Sequence, residues 1–185
     1  MEKPHWRRLS STLAIDSPYL HLRKDVIELP GGAILGEYFV RESRGFAVVF
    51  AVTAERDVVL IEEYRYAIDA ILLEFPAGTI DAGETPLACA QRELREETGY
   101  TAARWEPLLS VPSEPARSNA VMHAYLALDA RSTHDTEHEV SEAIELSLHP
   151  LDAFPAMLRE GHLSSLAATA VAYAAIERLR DLSML

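Results

Sequence analysis

The chain has 185 residues and a formal charge of −12, from 17 Lys and Arg against 29 Asp and Glu. That length suits one globular domain with a small appendage, and 49% hydrophobic against 25% charged residues excludes wholesale disorder. The acidity argues against a duplex nucleic-acid binder, which needs a basic face, and no apolar run approaches the roughly 20 residues that span a bilayer. The opening MEKPHWRRLSS has no apolar stretch of the signal-peptide kind, and a lone cysteine, Cys89, makes neither an intrachain disulfide nor a zinc site by itself. The expectation is an acidic cytoplasmic protein with no nucleic-acid or membrane partner.

In chain order, Tyr19 to Arg23 alternates, Asp25 to Leu29 follows, and Pro30-Gly31-Gly32 signals a turn before a return strand, Ala33 to Arg41. Residues 19–41 therefore read as an antiparallel hairpin. Phe46 to Thr53 and Val58 to Glu62 are β-branched runs forming a second hairpin, and Ile71 to Phe75 is a short strand stopped by Pro76. The clearest helix has Thr85 as N-cap, Pro86 at its first position and Gly99 at its C-terminal cap. Strands are expected at Trp105 to Val111 and Val121 to Ala127, around the loop Pro112 to Asn119. An acidic stretch, Asp135 to Glu142, precedes the strand Ile144 to Leu148, and Leu151 to Glu160 and Ser164 to Leu182 read as closing helices. This order is a mixed α/β sandwich and not a doubly wound nucleotide fold.

Residues 78–100 read GTIDAGETPLACAQRELREETGY. On a helix Glu93, Glu96 and Glu97 share one arc about 100° wide, and three carboxylates so close repel unless something positive sits among them. A bare acidic helix face is the ordinary explanation of such a pattern, relieved by Arg92 and Arg95. A magnesium-binding surface is the other, because hard divalent ions take carboxylate oxygens, waters and substrate phosphate. Leu87, Ala90 and Leu94 give the same helix an apolar face that must dock on a sheet, which would hold the carboxylates in fixed positions.

The segment resembles the Nudix box, G-x5-E-x7-R-E-U-x-E-E-x-G-U with U apolar, at every fixed position: Gly78, Glu84, Arg92, Glu93, Glu96, Glu97 and Gly99. Leu94 fills the first U, and Tyr100 fills the second where an aliphatic residue is commoner. The resemblance implies a Nudix α/β/α sandwich with a mixed sheet, plus an N-terminal antiparallel sheet. It implies hydrolysis of a nucleoside diphosphate linked to another moiety, with Mg²⁺ or Mn²⁺ as cofactor. Glu93, Glu96, Glu97 and the carbonyl of Ala77 match the family's metal ligands, Glu96 doubling as a catalytic residue, while Glu84 and Arg92 match a structural pair tying loop to helix.

Flanking residues narrow the branch. Glu63-Tyr64-Arg65-Tyr66, then Leu73-Glu74-Phe75-Pro76-Ala77-Gly78, resemble the ADP-ribose pyrophosphatases, and Pro115 falls where that branch has a marker proline. Ser118-Asn119-Ala120 departs from it, with alanine in place of a glutamate. The implied activity is cleavage of ADP-ribose or a related nucleoside diphosphate sugar; GDP-mannose and UDP-sugars are same-class alternatives, and a module that binds ADP-ribose without cleaving it is the different-class one. Arg65 is the candidate phosphate ligand through its guanidinium fork. With the box carboxylates on metal, the base must come from elsewhere, and the acidic stretch offers Glu139 first and Glu142 second.

Residues 1–43 read as N-terminal strands forming a dimerisation subdomain and residues 44–185 as the hydrolase domain. A lone hairpin needs another surface to cover it, so a homodimer is expected, with Tyr19 and Tyr38 placed where the resembling enzymes stack the base. His134 and His138 sit four apart but lack the H-E-x-x-H pattern, and read as part of a solvated acidic loop.

Overall fold

The computed structural model describes residues 5–138, 143–163 and 165–185. The chain divides into two compact units: the stretch up to Arg44 together with Pro112–Val121, and Gly45–Val111 together with Met122–Leu185.

The first unit is built on a three-stranded antiparallel sheet, β1 (Arg7–Ser17), β2 (Leu20–Glu28) and β3 (Ile34–Glu42), in that order. The expected hairpin is β2 and β3, whose turn uses Gly31 and Gly32 at φ 101° and 89°, values that disfavour any side chain. Strand β1 is an addition to the expectation. Its pairing with β2 shifts register between Arg8 and Ser10 and again between Leu13 and Ile15, so the alternation that betrays a strand is broken twice. Almost every residue of β1 is exposed, so no burial rhythm marks it either. The Pro112–Val121 stretch ties to β3 through an isolated bridge between Arg41 and Ser118 and through the Arg41 N–H, which donates to the Arg117 carbonyl (2.7 Å).

The second unit is the sandwich. Its sheet has a path β11 (Ile144–Pro150), β5 (Asp57–Arg65), β4 (Phe46–Thr53), β10 (Val121–Ser132) and β8 (Tyr100–Thr101). Strand β6 (Ala70–Glu74) pairs with β5, β7 (Ala77–Thr79) with β4, and β9 (Arg104–Pro112) with β10. The β4–β10 pair is parallel and β11–β5, β4–β7 and β5–β6 are antiparallel, which makes the sheet mixed as expected. The short strands β7 and β8 were not anticipated.

Strand β4 reads as unbroken apolar sequence because both its faces are covered. Ala47, Val49 and Ala51 meet Cys89, Ala90 and Leu94 of α1 (Pro86–Thr98) on one side. Val48, Phe50 and Val52 meet the other core, completed by α2 (Phe154–Glu160) and α3 (Leu166–Asp181). There Phe50, Phe75 and Phe154 pack with ring centroids 5.1–6.0 Å apart. Helix α1 follows its sequence signals: the Thr85 hydroxyl accepts from the Ala88 N–H (3.2 Å), Pro86 opens the helix, and Gly99 closes it in the left-handed conformation at φ 74°. Leu87 stays at the exposed rim of the helix, so the docking face is Cys89, Ala90 and Leu94.

Candidate active site

Docking α1 through Cys89, Ala90 and Leu94 turns its glutamates toward the short strand β7. Glu93 and Glu97, one turn apart, are buried at 9% and 5% exposure, whereas Glu96 is half-buried. The Ala77 N–H donates to Glu97 Oε2 (2.9 Å), fixing this carboxylate against the strand. Gly78 makes the close approach possible: a Cβ there would lie 1.9 Å from Glu93 Oε1, so any side chain would take the carboxylate's place.

Arg92 supplies the positive charge that the three glutamates need. Its Nε and Nη2 donate to the two oxygens of Glu84 (3.0 and 3.1 Å), and its Nη1 donates to Glu93 (2.7 Å) and Glu96 (3.1 Å). Glu84 also accepts the Asp81 N–H (3.0 Å), and Arg92 Nη2 reaches the Thr79 carbonyl (3.2 Å). The pair thus clamps the loop before α1 onto the helix. The hydrogen bonds from Arg92 hold the Glu84 carboxyl below the ordinary carboxylate value, and those same bonds push Arg92 upward. Burial, with the charges of Glu93 and Glu84, pushes the Cys89 thiol up to about 12. At neutral pH Cys89 is therefore a neutral packing group and not a nucleophile.

The carboxylates open on a cleft of ≈ 320 Å³ between β7 and α1. Asp81 and Glu137 also line it. Neither was singled out from the sequence as a site residue; Glu137 belongs to the acidic stretch expected to supply the base, though at Glu139 or Glu142. The donors are carboxylate and carbonyl oxygens, a set suited to a hard divalent ion, and Gly78 leaves room for one of them to be a buried glutamate. Among the described residues, no three acidic or His/Cys side chains converge on one ion position; Arg92 Nη1 stands between Glu93 and Glu96.

Of the other sequence candidates, Arg65, Tyr19 and Tyr38 are described and are not among the residues lining this cleft. Arg65 is held by Glu63 (2.8 Å) and Glu74 (2.6 Å) across β5 and β6. Tyr19 is 97% exposed and Tyr38 is half-buried, both in the first unit. The Tyr38 hydroxyl donates to the Ala116 carbonyl (2.7 Å), its ring meets Trp6 edge-on at 5.9 Å, and the Arg117 guanidinium lies 5.5 Å from its centre. Glu139 and Glu142 lie outside the described residues. His138 is not a free loop histidine: its Nε2 hydrogen-bonds the Glu97 carbonyl (2.9 Å).

A helix bearing buried glutamates, docked on a mixed sheet with helices on both faces, defines an α/β/α protein with an acidic cleft beside a glycine-opened strand. Comparison with known proteins gives the class its name. The NUDIX domain matches residues 43–168, and the nucleoside diphosphate sugar hydrolase N-terminal domain matches residues 6–40. The chain belongs to the Nudix family. It is 35% identical over 131 residues to the methanol dehydrogenase activator of Bacillus methanolicus, covering 69% of this chain and 70% of that one. It is 30% identical over 174 residues to the ADP-ribose pyrophosphatase of Mycobacterium tuberculosis (strain ATCC 25618 / H37Rv), covering 92% and 84%. The crystal structure of an ADP compounds hydrolase superposes on 100% of this chain and 98% of its own with a TM-score of 0.85; at 22% identity it shows the shared fold.

Proposed function

We propose that this protein is a Nudix pyrophosphohydrolase that cleaves the diphosphate of ADP-ribose, or of a related nucleoside diphosphate sugar, to a nucleoside monophosphate and a sugar phosphate. The reading rests first on the cleft, where Glu93 and Glu97 are buried against β7 in a complete box. It is supported by a relative that is an ADP-ribose pyrophosphatase and aligns over 92% of the chain. In the reaction, water oxygen bonds to one phosphorus, the bridging oxygen leaves with the other phosphate, and the water proton must be taken up.

The residues that would hold a divalent ion are Glu93, Glu96, Glu97 and the Ala77 carbonyl, and Mg²⁺ or Mn²⁺ suits them equally by donor type. When bound, the ion supplies neutralisation of the diphosphate charge and acidification of water. The chain's own contributions are distinct. Arg92 and Glu84 hold the loop and helix together; Arg65, oriented by Glu63 and Glu74, binds phosphate; and the acidic stretch carries the proton acceptor, Glu139 or else Glu142.

A homodimer in the cytoplasm completes the reading, with residues 1–43 as the dimerisation part and Tyr19 and Tyr38 stacking on the base. It is supported by the apolar residues left exposed on the three-stranded sheet, among them Leu9, Leu13, Ile15, Ile34 and Leu35. No helix among the described residues is long and apolar enough to cross a membrane.

A GDP-mannose specificity is the second reading. Ala120, where the resembling ADP-ribose branch has a glutamate, loosens the ADP-ribose assignment, and a relative that is the GDP-mannose pyrophosphatase of Klebsiella pneumoniae supports this reading. The test is release of monophosphate from a panel of nucleoside diphosphate sugars, dinucleotides and triphosphates with Mg²⁺ or Mn²⁺. ADP-ribose should head the panel; turnover of triphosphates alone would overturn the assignment.

A further inference from the structure

The acidic segment after β10 lies against an end of α1 that ought to repel it. The last turn of a helix carries a partial negative charge, and this one also bears Glu96 and Glu97, while the segment brings Asp135 and Glu137. Directional bonds hold it there. The N–H groups of Thr133 and His134 donate to the Gly99 carbonyl (2.9 and 3.1 Å), and the Glu137 N–H donates to the Glu96 carbonyl (2.7 Å). The Thr133 hydroxyl also bonds that of Thr101 (2.9 Å). Carbonyls that a helix end leaves without partners are thereby satisfied from one neighbouring segment.

The His138 side chain bonds the helix end itself. Its Nε2 lies 2.9 Å from the Glu97 carbonyl, and because a carbonyl can only accept, Nε2 must carry the proton. Glu96 and Glu97 are therefore bonded through their main chains to Glu137 and His138 respectively, while the Glu137 side chain lines the same cleft as theirs. The helix that carries the box glutamates also fixes the point from which Glu137 enters.

We infer that His138 is a positioning residue: its bond to the Glu97 carbonyl fastens the segment to α1 and so keeps the Glu137 carboxylate in the cleft beside Glu93, Glu96 and Glu97. The contact acts through geometry and involves no change in the charge of His138. Its relevance to turnover rests on the hydrolase reading above, but its relevance to ion binding does not.

The experiment compares the whole protein with His138→Ala, His138→Gln and Glu137→Gln. Three readouts are taken: Mn²⁺ affinity by calorimetry, exchange of the Glu137 amide hydrogen, and kcat and KM on ADP-ribose. Groups that orient a ligand set from behind typically change ion affinity or activity about 10–100-fold when removed. His138→Ala should therefore speed exchange of the Glu137 amide and weaken Mn²⁺ binding by about tenfold. His138→Gln, whose amide N–H can reach the same carbonyl, should restore both. Glu137→Gln should weaken Mn²⁺ binding while leaving its own amide protected. If ADP-ribose is a substrate, kcat should fall in His138→Ala with KM little changed. Unchanged Glu137 exchange in His138→Ala would overturn the proposal, and so would faster exchange with unchanged Mn²⁺ affinity, which would make the contact a cap and nothing more. Failure of the wild type to cleave ADP-ribose, with the exchange and affinity effects intact, would overturn the substrate assignment and leave the positioning role standing.

Discussion

A methyl group on Gly78 would lie 1.9 Å from Oε1 of Glu93, so strand β7 and the buried carboxylate of α1 share a space that admits no side chain. The obstacle to such a methyl is the far end of a glutamate and not backbone, so the glutamate would be displaced and the fold kept. Gly78→Ala should melt within a few degrees of the wild type yet lose about 100-fold in turnover, the scale of effect expected when a reacting group is misplaced by about 1 Å. Calorimetric melts and steady-state rates on one preparation check both halves.

Gly99 carries a different burden. It stands at φ 74°, and a Cβ there would lie 2.3 Å from the main-chain oxygen of His134. A left-handed conformation costs a side chain roughly 1–2 kcal/mol, and the backbone clash adds to it. Gly99→Ala should therefore lower stability by more than about 1 kcal/mol in urea titration, in contrast to Gly78→Ala.

How far this arrangement could be read beforehand depended on whether each signal was local. The N-cap Thr85, the closing Gly99, the apolar Cys89-Ala90-Leu94 face and the clustering of Glu93, Glu96 and Glu97 all follow from spacing along one helix. Strand β4 was legible from its apolar run, since both faces are covered. Strand β1 was not, because two register shifts break its alternation and solvent covers almost all of it. The acidic stretch was marked by its composition, but Glu137 within it and the His138–Glu97 bond were not, because which of its residues meet α1 is decided across the fold. The clamp on Arg65 by Glu74 is likewise a product of β5–β6 pairing.

The Glu84–Arg92 pair gives a signed dependence on pH. Arg92 holds the folded carboxyl of Glu84 below its ordinary 4.5, so the ionised form contributes stability that is complete above that value. The contribution is lost as pH falls through the depressed folded value. Glu84→Gln should therefore be less stable than the wild type at pH 7, and the gap should shrink as pH drops below 4.5. Thermal melts of both proteins across that range measure it; a gap that widens on acidification would contradict the assignment.

Cys89 offers a check on the docked face of α1. Fully buried, with its thiol held near 12, it should resist alkylation by iodoacetamide at pH 8 in the native protein. In denaturant it should react at the rate of an ordinary thiol. Fast native labelling, followed by mass spectrometry, would mean that α1 does not sit on β4 as described.

The most direct test of the central claim, that the cleft between β7 and α1 is a divalent-ion-dependent hydrolytic centre, is turnover of ADP-ribose by Glu97→Gln at saturating Mg²⁺. Glutamine matches glutamate in size and can still accept the Ala77 N–H, which reaches Glu97 Oε2 at 2.9 Å, so the fold should survive while the charge is removed. The wild type should release AMP and ribose 5-phosphate, and the variant should be slower by about 100-fold or more with an unchanged melting temperature. Near wild-type turnover by Glu97→Gln would contradict that claim.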